Sequence, residues 1–335
     1  MLDTEDMNTL KAVFDDCEIN AYERGYGKET ALHFYGVPDE LVRWLVSQGL
    51  DIDVRDEYGR TPLDRRAQIG RDVSVFLELG ADVNSKTNSG ETPLHFAAIE
   101  HNANTVKQLI DHGANIEAKE AAFGRTPLST ALSTCRNADI ANMAIIAETF
   151  LNAGAHVDEG MRHNVERIGK DFEFFRESFN KDYLAETEAG LARLYALFGV
   201  EPVAERRTYD GVSPIIVIDG PWEKQYSQLW DYLVPGTGPA STVQGEAIRI
   251  AGRVSHEILD NGGANWDADF RKMLNALVKF FSMGTPLTQE ELELASTLAS
   301  QIRGDDESSQ LARLAVRWVA KNPDPIALET PPYKR

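Results

Sequence analysis

The chain has 335 residues, enough for two domains with separate cores, and its formal net charge at pH 7 is −19. The acid is concentrated in residues 1–160, where 14 Lys and Arg stand against 27 Asp and Glu. Phosphate backbones and anionic lipid surfaces attract clustered Lys and Arg, so this charge disfavours binding to nucleic acids and to membranes. It favours a basic protein partner, although charge of this sign also serves solubility alone.

The sequence contains only two cysteines, Cys17 and Cys135, and both lie in partly apolar, helical contexts where we expect small buried side chains. The first six residues lack the basic and apolar regions of a secretory signal. The most apolar stretch, residues 140–151, is too short to cross a bilayer and is interrupted by Glu148. These features predict a protein of the reducing cytoplasm.

Residues 3–24 are predicted to form a helix that is capped by Asp3 or Thr4. Its expected inner side carries Leu10, Val13, Phe14 and Cys17. A terminal repeat must show a polar outer face to water, so this helix is expected to close the N-terminal end of a repeat array.

The array itself is marked by one short phrase that occurs four times. The copies are Thr30-Ala-Leu-His33, Thr61-Pro-Leu-Asp64, Thr92-Pro-Leu-His95 and Thr126-Pro-Leu-Ser129. A second phrase follows each of them, with the copies Gly49-Leu-Asp-Ile-Asp53, Gly80-Ala-Asp-Val-Asn84, Gly113-Ala-Asn-Ile-Glu117 and Gly154-Ala-His-Val-Asp158. This recurrence indicates an internal repeat.

Each copy of the repeat predicts a pair of helices. Threonine caps the first helix with its hydroxyl, and proline at the first helical position gives up no needed N–H. Apolar residues at helical spacing, such as Val106, Leu109 and Ile110, predict the second helix, and the glycine of the second phrase ends it where a left-handed residue is required. The next threonine is reached through a hairpin with its own glycine, at Gly59, Gly90 and Gly124.

The pattern resembles the ankyrin repeat, whose Thr-Pro-Leu-His-x-Ala signature and period of about 33 residues are matched by Thr92-Pro-Leu-His-Phe-Ala-Ala98. The resemblance implies an all-α ankyrin-repeat solenoid of about four repeats with an N-terminal capping helix. It also implies that His33 and His95 brace the hairpins. Partner contacts at hairpin tips and inner helices are implied for Glu57, Tyr58, Arg60, Gln68, Ile69, Asn88, Ser89, Glu91, Ile99, Glu100, Phe123 and Arg125.

The repeats depart from the family pattern in length and in two core positions. The first two threonine-to-threonine intervals are 31 residues, whereas the interval from Gly113 to Gly154 is 41 residues. Arg65 and Arg66 stand where the family places a core aliphatic and an alanine. A buried unpaired guanidinium costs several kcal/mol, so these arginines are expected to reach solvent or to meet carboxylates such as Asp64 or Glu40. The alternative is a basic spot on an acidic binding face.

Beyond Asp158 the composition becomes aromatic and the repeat phrase stops. Residues 161–205 predict a helical connector that packs on the fourth repeat or bridges to the next domain. Its first apolar stripe carries Ile168, Phe172, Phe175 and Phe179. Residues 206–322 predict a C-terminal helical domain, and residues 323–335 predict an extended, proline-rich tail. Residues 214–218 are the best strand candidate in this half, or else an extended segment.

Capping patterns divide the C-terminal domain into helices. The predicted caps are Ser241 with Gln244, Asn265, and Thr288 with Glu291. The last helix is expected over residues 307–320.

Few residues have the spacing of catalytic motifs. His-x-x-x-His, Cys-x-x-Cys and Gly-x-Ser-x-Gly are absent, so no metal and no cofactor are expected. The loop of residues 236–242 leads into a helix N-terminus, where free N–H groups can hold an anion. No lysine follows, however, and Glu246 would repel phosphate, so we predict a plain loop and cap.

A second candidate site is a group of carboxylates, arginines and an amide on adjacent helices. Its members are Glu246, Arg249, Arg253, Glu257, Asp260, Asn265 and Asp267. Such groups together can form a hydrolytic site. Helix-surface ion pairs, such as Glu246 with Arg249 and Arg253 with Glu257, explain them more simply.

The run from Leu229 to Arg249, followed by Asn265-Trp-Asp267, resembles a helical domain of uncharacterised bacterial proteins, some of which are encoded near toxin genes. Tyr58 and Phe123 are apolar where the repeat should face water, as hot-spot anchors are. With the acidity, these features predict a non-catalytic bacterial immunity protein that occludes a basic toxin or effector domain. The alternatives are a hydrolase with its site on the C-terminal domain and a scaffold that joins two host proteins.

Overall fold

The structure, a computed structural model, describes residues 6–25, 27–302 and 305–334. Within these residues all regular secondary structure is helical, with fifteen α-helices and four 3-10 turns, so the predicted all-α class is confirmed. In the same residues no helix is long and apolar enough to cross a bilayer. The chain forms two compact units, one with the residues up to Phe172 and Asn180–Val203, the other with Glu173–Phe179 and the residues from Ala204 onward.

The first unit is built from short helices in pairs. They are α1 (Met7–Ala12), α2 (Asp39–Ser47), α3 (Pro62–Gln68), α4 (Ser74–Glu78), α5 (Pro93–Ile99), α6 (Ala103–Asp111), α7 (Pro127–Thr134), α8 (Ile140–Asn152), α9 (Glu159–Phe175, which ends in the second unit) and α10 (Lys181–Phe198). The pairs α3/α4, α5/α6 and α7/α8 are the last three copies of the repeat.

These three pairs form as the sequence predicts. The first helix of each begins with proline directly after a threonine cap. The second helix of each ends before a glycine with a left-handed backbone, with φ of 86° at Gly80, 84° at Gly113 and 95° at Gly154. Since a residue with a Cβ rarely adopts such angles, the glycine of the second phrase fixes where each pair stops.

The first copy of the repeat lacks its predicted first helix, so that prediction is wrong. After Thr30 the chain makes only a 3-10 turn, Ala31–His33, and the next helix begins at Asp39. An alanine stands where the other copies have proline, Gly36 adopts a φ of 77°, and Pro38 has no N–H for a helical bond. Together these residues stop the helix after one turn.

The N-terminal helix is much shorter than the predicted one over residues 3–24. It ends at Ala12 and is followed by one 3-10 turn, Val13–Asp15. Its cap is Asp6, whose carboxylate accepts two backbone N–H bonds. The proposed caps Asp3 and Thr4 lie outside the described residues. Acidic residues crowd the end of the helix, where the dipole disfavours negative charge, and this limits its length.

The shortening exposes side chains that were predicted to be buried. Val13 and Cys17 are exposed, because the chain leaves the helix before reaching them. Leu10 is buried, and the Phe14 ring lies 5.7 Å from the ring of Trp44. Cys135 is buried as predicted, and burial raises the pKa of its thiol to about 12.

Neighbouring repeats are joined through the last residue of each second phrase. Its side-chain oxygen accepts a hydrogen bond from a backbone N–H of the next copy. The pairs are Asp53 with Asp82 at 2.9 Å, Asn84 with Asn115 at 2.7 Å and Glu117 with His156 at 2.9 Å. We call Asp53, Asn84 and Glu117 the inter-repeat ladder. Each rung satisfies a backbone donor that the next repeat cannot satisfy alone.

After the fourth repeat, α9 and α10 continue the first unit. At the closest approach of α10 to α8, a Cβ built on Gly190 would lie 2.9 Å from the Cα of Ala141. Ile168 and Phe172 of the predicted aromatic stripe are buried, whereas Phe175 is exposed. The predicted stripe is therefore buried only in its first half.

The second unit contains α11 (Trp222–Leu233), α12 (Val243–Leu259), α13 (Ala268–Phe280), α14 (Gln289–Gln301) and α15 (Asp305–Lys321). Apolar side chains from all five helices form one core, among them Leu229, Val254, Leu277, Leu298 and Trp318. The predicted capping box of Thr288 and Glu291 opens α14. The other two predicted caps are wrong by one or two residues, since Thr242 caps α12 and Asp267 caps α13.

Residues 214–218 form an extended segment rather than a strand. The N–H of Ile215 donates to the carbonyl of Pro323 at 2.7 Å, and its side chain is buried. Ile216 points the other way and is exposed. The apolar run that suggested a strand is thus an extended chain with one side on the core.

The proline-rich tail lies across the beginning of α12. Gln244 Nε2 donates to the carbonyls of Asn322 at 3.0 Å and Asp324 at 2.7 Å. Gln244 therefore holds the tail instead of forming the predicted capping box with Ser241. Near the end of the tail, the ring of Tyr333 is buried.

Candidate functional site

Two histidines brace the hairpins of the repeats. His95 Nδ1 accepts a hydrogen bond from the Thr92 N–H at 3.1 Å, and its Nε2 lies 3.2 Å from the Arg125 carbonyl oxygen. His33 makes the same contact with the Arg60 carbonyl at 3.1 Å. With Nδ1 accepting and Nε2 donating, each ring is neutral, and burial lowers the pKa of both. The bracing role predicted for both residues is confirmed.

Asp64 occupies the position of the bracing histidine in the second repeat, but it makes only part of the histidine's hydrogen bonds. Its Oδ2 accepts bonds from the Thr61 N–H at 2.7 Å and the Thr61 hydroxyl at 3.0 Å. Its Oδ1 is buried and, within the described residues, has no hydrogen-bond partner. Burial raises the pKa of this carboxyl to about 7, because the charged form loses its hydration.

The hairpin tips are linked into one row by backbone hydrogen bonds. They run from Glu57 N–H to the Gly27 carbonyl at 2.6 Å, from Asn88 to Tyr58 at 3.0 Å and from Ala121 to Ser89 at 2.8 Å. A Cβ on Gly59 would lie 2.9 Å from the Asn88 nitrogen, so glycine is needed for this approach. We call the exposed residues Glu57, Tyr58, Asn88, Ser89 and Phe123 the tip row.

Two members of the tip row are aromatic rings stacked on arginines. Tyr58 is 51% exposed, and the Arg60 guanidinium carbon lies 4.7 Å from its ring centroid. Phe123 is 76% exposed, and Arg125 lies 4.4 Å from its ring. Each arginine also meets a carboxylate of its own hairpin, Asp56 at 2.7 Å and Glu120 at 3.7 Å. The stacked guanidinium therefore holds each ring in its exposed position.

The remaining predicted contact residues are mostly less exposed. Glu91 is half-buried and accepts a hydrogen bond from the Ser89 hydroxyl at 3.0 Å. Gln68, Ile69 and Ile99 are half-buried at the ends of α3 and α5, and Glu100 is exposed. These five residues thus present some surface to solvent.

Arg65 is held by a carboxylate that it shares with a tip arginine. It meets Glu29 at 2.9 Å, and Arg60 meets the same oxygen at 3.5 Å. Its guanidinium also lies 5.0 Å from the ring centroid of Tyr35. Glu29 thus joins the first hairpin to the inner surface of α3.

Arg66 is buried and paired as well. It donates to two backbone carbonyls at 2.9 Å and forms an ion pair with Asp39. Pairing of the two arginines is confirmed, but their partners are Glu29 and Asp39 and not Asp64 or Glu40. Asp64 Oδ2 accepts its bonds from Thr61, and Oδ1 has no hydrogen-bond partner among the described residues. Neither arginine forms a free basic spot on the surface.

Comparison with known families identifies this stack of helix pairs. A family model of ankyrin repeats, in three copies, matches residues 66–155, which cover α4 to α8 and the end of α3. These residues are ankyrin repeats. The ankyrin-repeat solenoid predicted from the Thr-Pro-Leu-His phrases is confirmed, and ankyrin repeats are modules of protein–protein interaction.

Similar proteins come from viruses and animals. An ankyrin repeat protein of Fowlpox virus is 33% identical over 100 residues, covering 29% of this chain and 15% of its own. NF-kappa-B inhibitor cactus of Drosophila yakuba is 39% identical over 121 residues, covering 35% and 24%. NF-kappa-B inhibitor zeta of Homo sapiens is 31% identical over 159 residues, covering 35% and 21%. The chain spans less than a quarter of the length of each of these relatives.

Away from the ankyrin repeats, the second unit contains a cavity of about 1190 Å³, lined mainly by α11 and α12. Residues of the predicted carboxylate and arginine group that line it are Arg249, Arg253, Glu257, Asp260 and Asn265. The predicted ion pair of Glu246 and Arg249 forms at 2.6 Å, but its predicted place on the helix surface is wrong, since Glu246, Arg249 and Glu257 are buried. The sequence pattern gave the composition of the group correctly but not its burial.

Glu246 is fully buried and held by protein groups on all sides. Its carboxylate accepts bonds from Arg249 Nε at 2.8 Å, the Tyr333 hydroxyl at 2.8 Å and the Ala240 N–H at 2.9 Å. It therefore supplies the negative charge that the beginning of α12 favours. In the loop of residues 236–242, the Ala240 N–H is thus bonded to a carboxylate of the protein itself.

Glu257 is also buried beside the cavity. It accepts bonds from Asn261 Nδ2 at 3.1 Å and from the Asn265 N–H at 2.6 Å. In the described parts of the chain, no group of three or more His, Cys, Asp or Glu side chains is arranged to hold a metal ion. The predicted cap residue Asn265 thus orients a buried carboxylate.

Proposed function

We propose that this protein is a non-catalytic binding protein whose tip row holds a basic protein domain. The observation that carries the proposal is the pair of exposed rings, Tyr58 and Phe123, each stacked on an arginine at a hairpin tip. Ordered aromatic side chains contribute most of the binding energy at many protein interfaces. Because these two rings are already held in place, their side chains would lose little conformational entropy when a partner binds.

The negative charge of the repeat half favours a positively charged partner. Residues 1–160 carry a net charge of −13, from 14 Lys and Arg and 27 Asp and Glu. The tip arginines are compensated by carboxylates of their own hairpins, while Glu57 and Glu100 remain exposed. Such a surface attracts a basic domain, speeds its encounter and loses this advantage as salt rises.

The more specific proposal is a cytoplasmic immunity protein of bacteria that occludes a toxin domain. Two of the similar proteins are named inhibitors of NF-kappa-B. Their names support the proposal that an ankyrin repeat protein acts by inhibiting its partner. The sequence pattern of residues 229–249, interpreted as similar to bacterial proteins of which some are encoded near toxin genes, is in line with this partner class. A scaffold that joins two host proteins differs only in the identity of the partner.

A hydrolase is the second candidate, and the cavity of the second unit is the observation that favours it. A general base needs an oxygen within reach of the proton that it removes. The buried carboxylates Glu246 and Glu257 already accept hydrogen bonds from protein donors. This argues for a structural role of both carboxylates and against turnover in the cavity.

A photo-crosslinking residue tests the proposal directly. Benzoylphenylalanine in place of Phe123 is expected to capture, in cells of the source organism, a protein with an isoelectric point above about 9. The matched control is the same residue in place of Tyr183, which is 60% exposed on α10. It is expected not to capture that protein. An acidic product, or equal capture from both positions, contradicts the proposal.

The affinity of variants for the purified captured protein then measures how much Tyr58 and Phe123 contribute to binding. Tyr58→Ser combined with Phe123→Ser is expected to raise its Kd by about 100-fold, since each buried anchor contributes a few kcal/mol. Glu57→Lys combined with Glu91→Lys is expected to raise the Kd about tenfold at low salt and to flatten its salt dependence. Tyr183→Ser is expected to leave the Kd unchanged. Charge reversal without an effect on Kd would refute the electrostatic part.

A further inference from the structure

One side of the cavity in the second unit is an aromatic wall. Trp222, Tyr226 and Trp230 lie four residues apart on α11 and line the cavity together. Trp230 stacks on Phe174 with a centroid distance of 6.0 Å and an interplanar angle of 12°. The Tyr226 hydroxyl donates to the Ile248 carbonyl at 3.1 Å. These contacts hold the rings of Trp230 and Tyr226 in place.

A glycine on α12 allows the rings to lie where they do. A Cβ built on Gly252 would overlap the side chains of both Trp230 and Tyr226. Any larger residue at this position must push the rings away from the helix and into the cavity. The open space beside the wall therefore depends on Gly252.

The carboxylates that line the cavity all have partners. The partners are Asn261 and Asn265 for Glu257, His256 for Asp260 and, at longer range, Arg206 for Asp231. Lys334 lines the cavity as well, and none of the carboxylates described in the structure lies within ion-pair distance of its ammonium group. Arg253 also lines the cavity, but it already interacts with another group of the protein, so Lys334 is the cation on which the inference rests. The cavity thus offers a positive charge to a ligand.

We infer that the cavity binds a small anionic molecule with a flat aromatic group. The ring would lie against Trp222 and Trp230, and the anion would lie near Lys334. A ring against an aromatic wall gains stacking contacts, and an anion beside an uncompensated ammonium gains a charge-assisted hydrogen bond. Ligand sites have volumes of about 300–1,000 Å³, so this cavity has room for such a molecule. The inference does not depend on the tip row.

Calorimetric titration of the full-length protein with matched probes tests the inference. Naphthalenesulfonate carries both the ring and the anion, naphthylmethanol only the ring, methanesulfonate only the anion, and naphthylmethylammonium the opposite charge. Naphthalenesulfonate is expected to bind at least about tenfold more tightly than each of the others. Equal binding of the neutral or cationic ring, or no binding of naphthalenesulfonate, overturns the inference.

Variants then locate the bound probe. Lys334→Gln is expected to weaken naphthalenesulfonate binding about fivefold or more and to leave naphthylmethanol binding unchanged. The control is Lys279→Gln, an exposed lysine of α13 that does not line the cavity, which should change neither. Gly252→Ala is expected to reduce the binding of naphthalenesulfonate and of naphthylmethanol, with the melting temperature recorded to show that the protein is folded. If Lys334→Gln and Lys279→Gln behave alike, the site is not the one described.

Discussion

Replacing Asp64 with histidine is expected to stabilise the protein by about 2–4 kcal/mol near pH 8. Histidine would accept the Thr61 N–H through Nδ1 and direct its Nε2–H towards the carbonyl of Glu91. Glu91 follows Gly90 in its hairpin, just as Arg60 and Arg125, the partners of His33 and His95, follow Gly59 and Gly124. It would also remove a buried carboxylate whose Oδ1 has no partner in the described residues. Urea unfolding of wild type and variant measures the difference. A variant less stable than the wild type contradicts this account of the site.

The pH dependence of unfolding separates the buried charge from the missing hydrogen bond. Folding raises the pKa of Asp64 from 3.8 to about 7, so the folded protein binds this proton more tightly than the unfolded chain does. The wild type therefore loses stability, by about 4 kcal/mol at most, as the pH rises from about 4 to about 7. Asp64→Asn cannot titrate, so its advantage over the wild type is expected to grow across this window. An advantage that stays constant with pH would mean that the carboxyl does not titrate as described.

Gly190→Val is expected to destabilise the first unit by about 3 kcal/mol or more. The added Cβ would lie 2.9 Å from the Cα of Ala141 and 3.1 Å from the Ile140 carbonyl oxygen. Both contacts are with backbone, so α8 and α10 have to separate. The control is Ala189→Val, one residue earlier on the exposed side of α10, which should cost about 0.5 kcal/mol. Chemical denaturation monitored by circular dichroism checks both values, and equal losses would contradict the close helix approach.

The repeat half was largely predictable because its signals are local. A threonine cap, a proline one residue later and a glycine at the end fix the three complete helix pairs, and the hairpin positions of Tyr58 and Phe123 follow from them. Where one signal was missing the prediction failed. The first copy has no proline after Thr30, and Pro38 lies too close to allow a full helix.

The second unit was less predictable because its decisive contacts are distant in sequence. Glu246 and Arg249 have the spacing of a surface ion pair, yet Tyr333 closes over them from 87 residues away. Likewise, nothing in the sequence places Trp230 against Gly252 or Lys334 beside the same cavity. Helical periodicity shows which side chains share a face, but not which tail or helix covers that face.

The inter-repeat ladder limits where this array can grow. A duplicated unit fits only if it carries Asp, Asn or Glu at the last position of its second phrase, because that oxygen receives the N–H of the following unit. In the fourth copy this position is Asp158, which instead accepts the N–H of Met161 at 2.7 Å and begins α9. The array can therefore be lengthened by duplicating an interior unit but not by adding a unit after the fourth. There the carboxylate of Asp158 caps α9 and is not available to a further repeat.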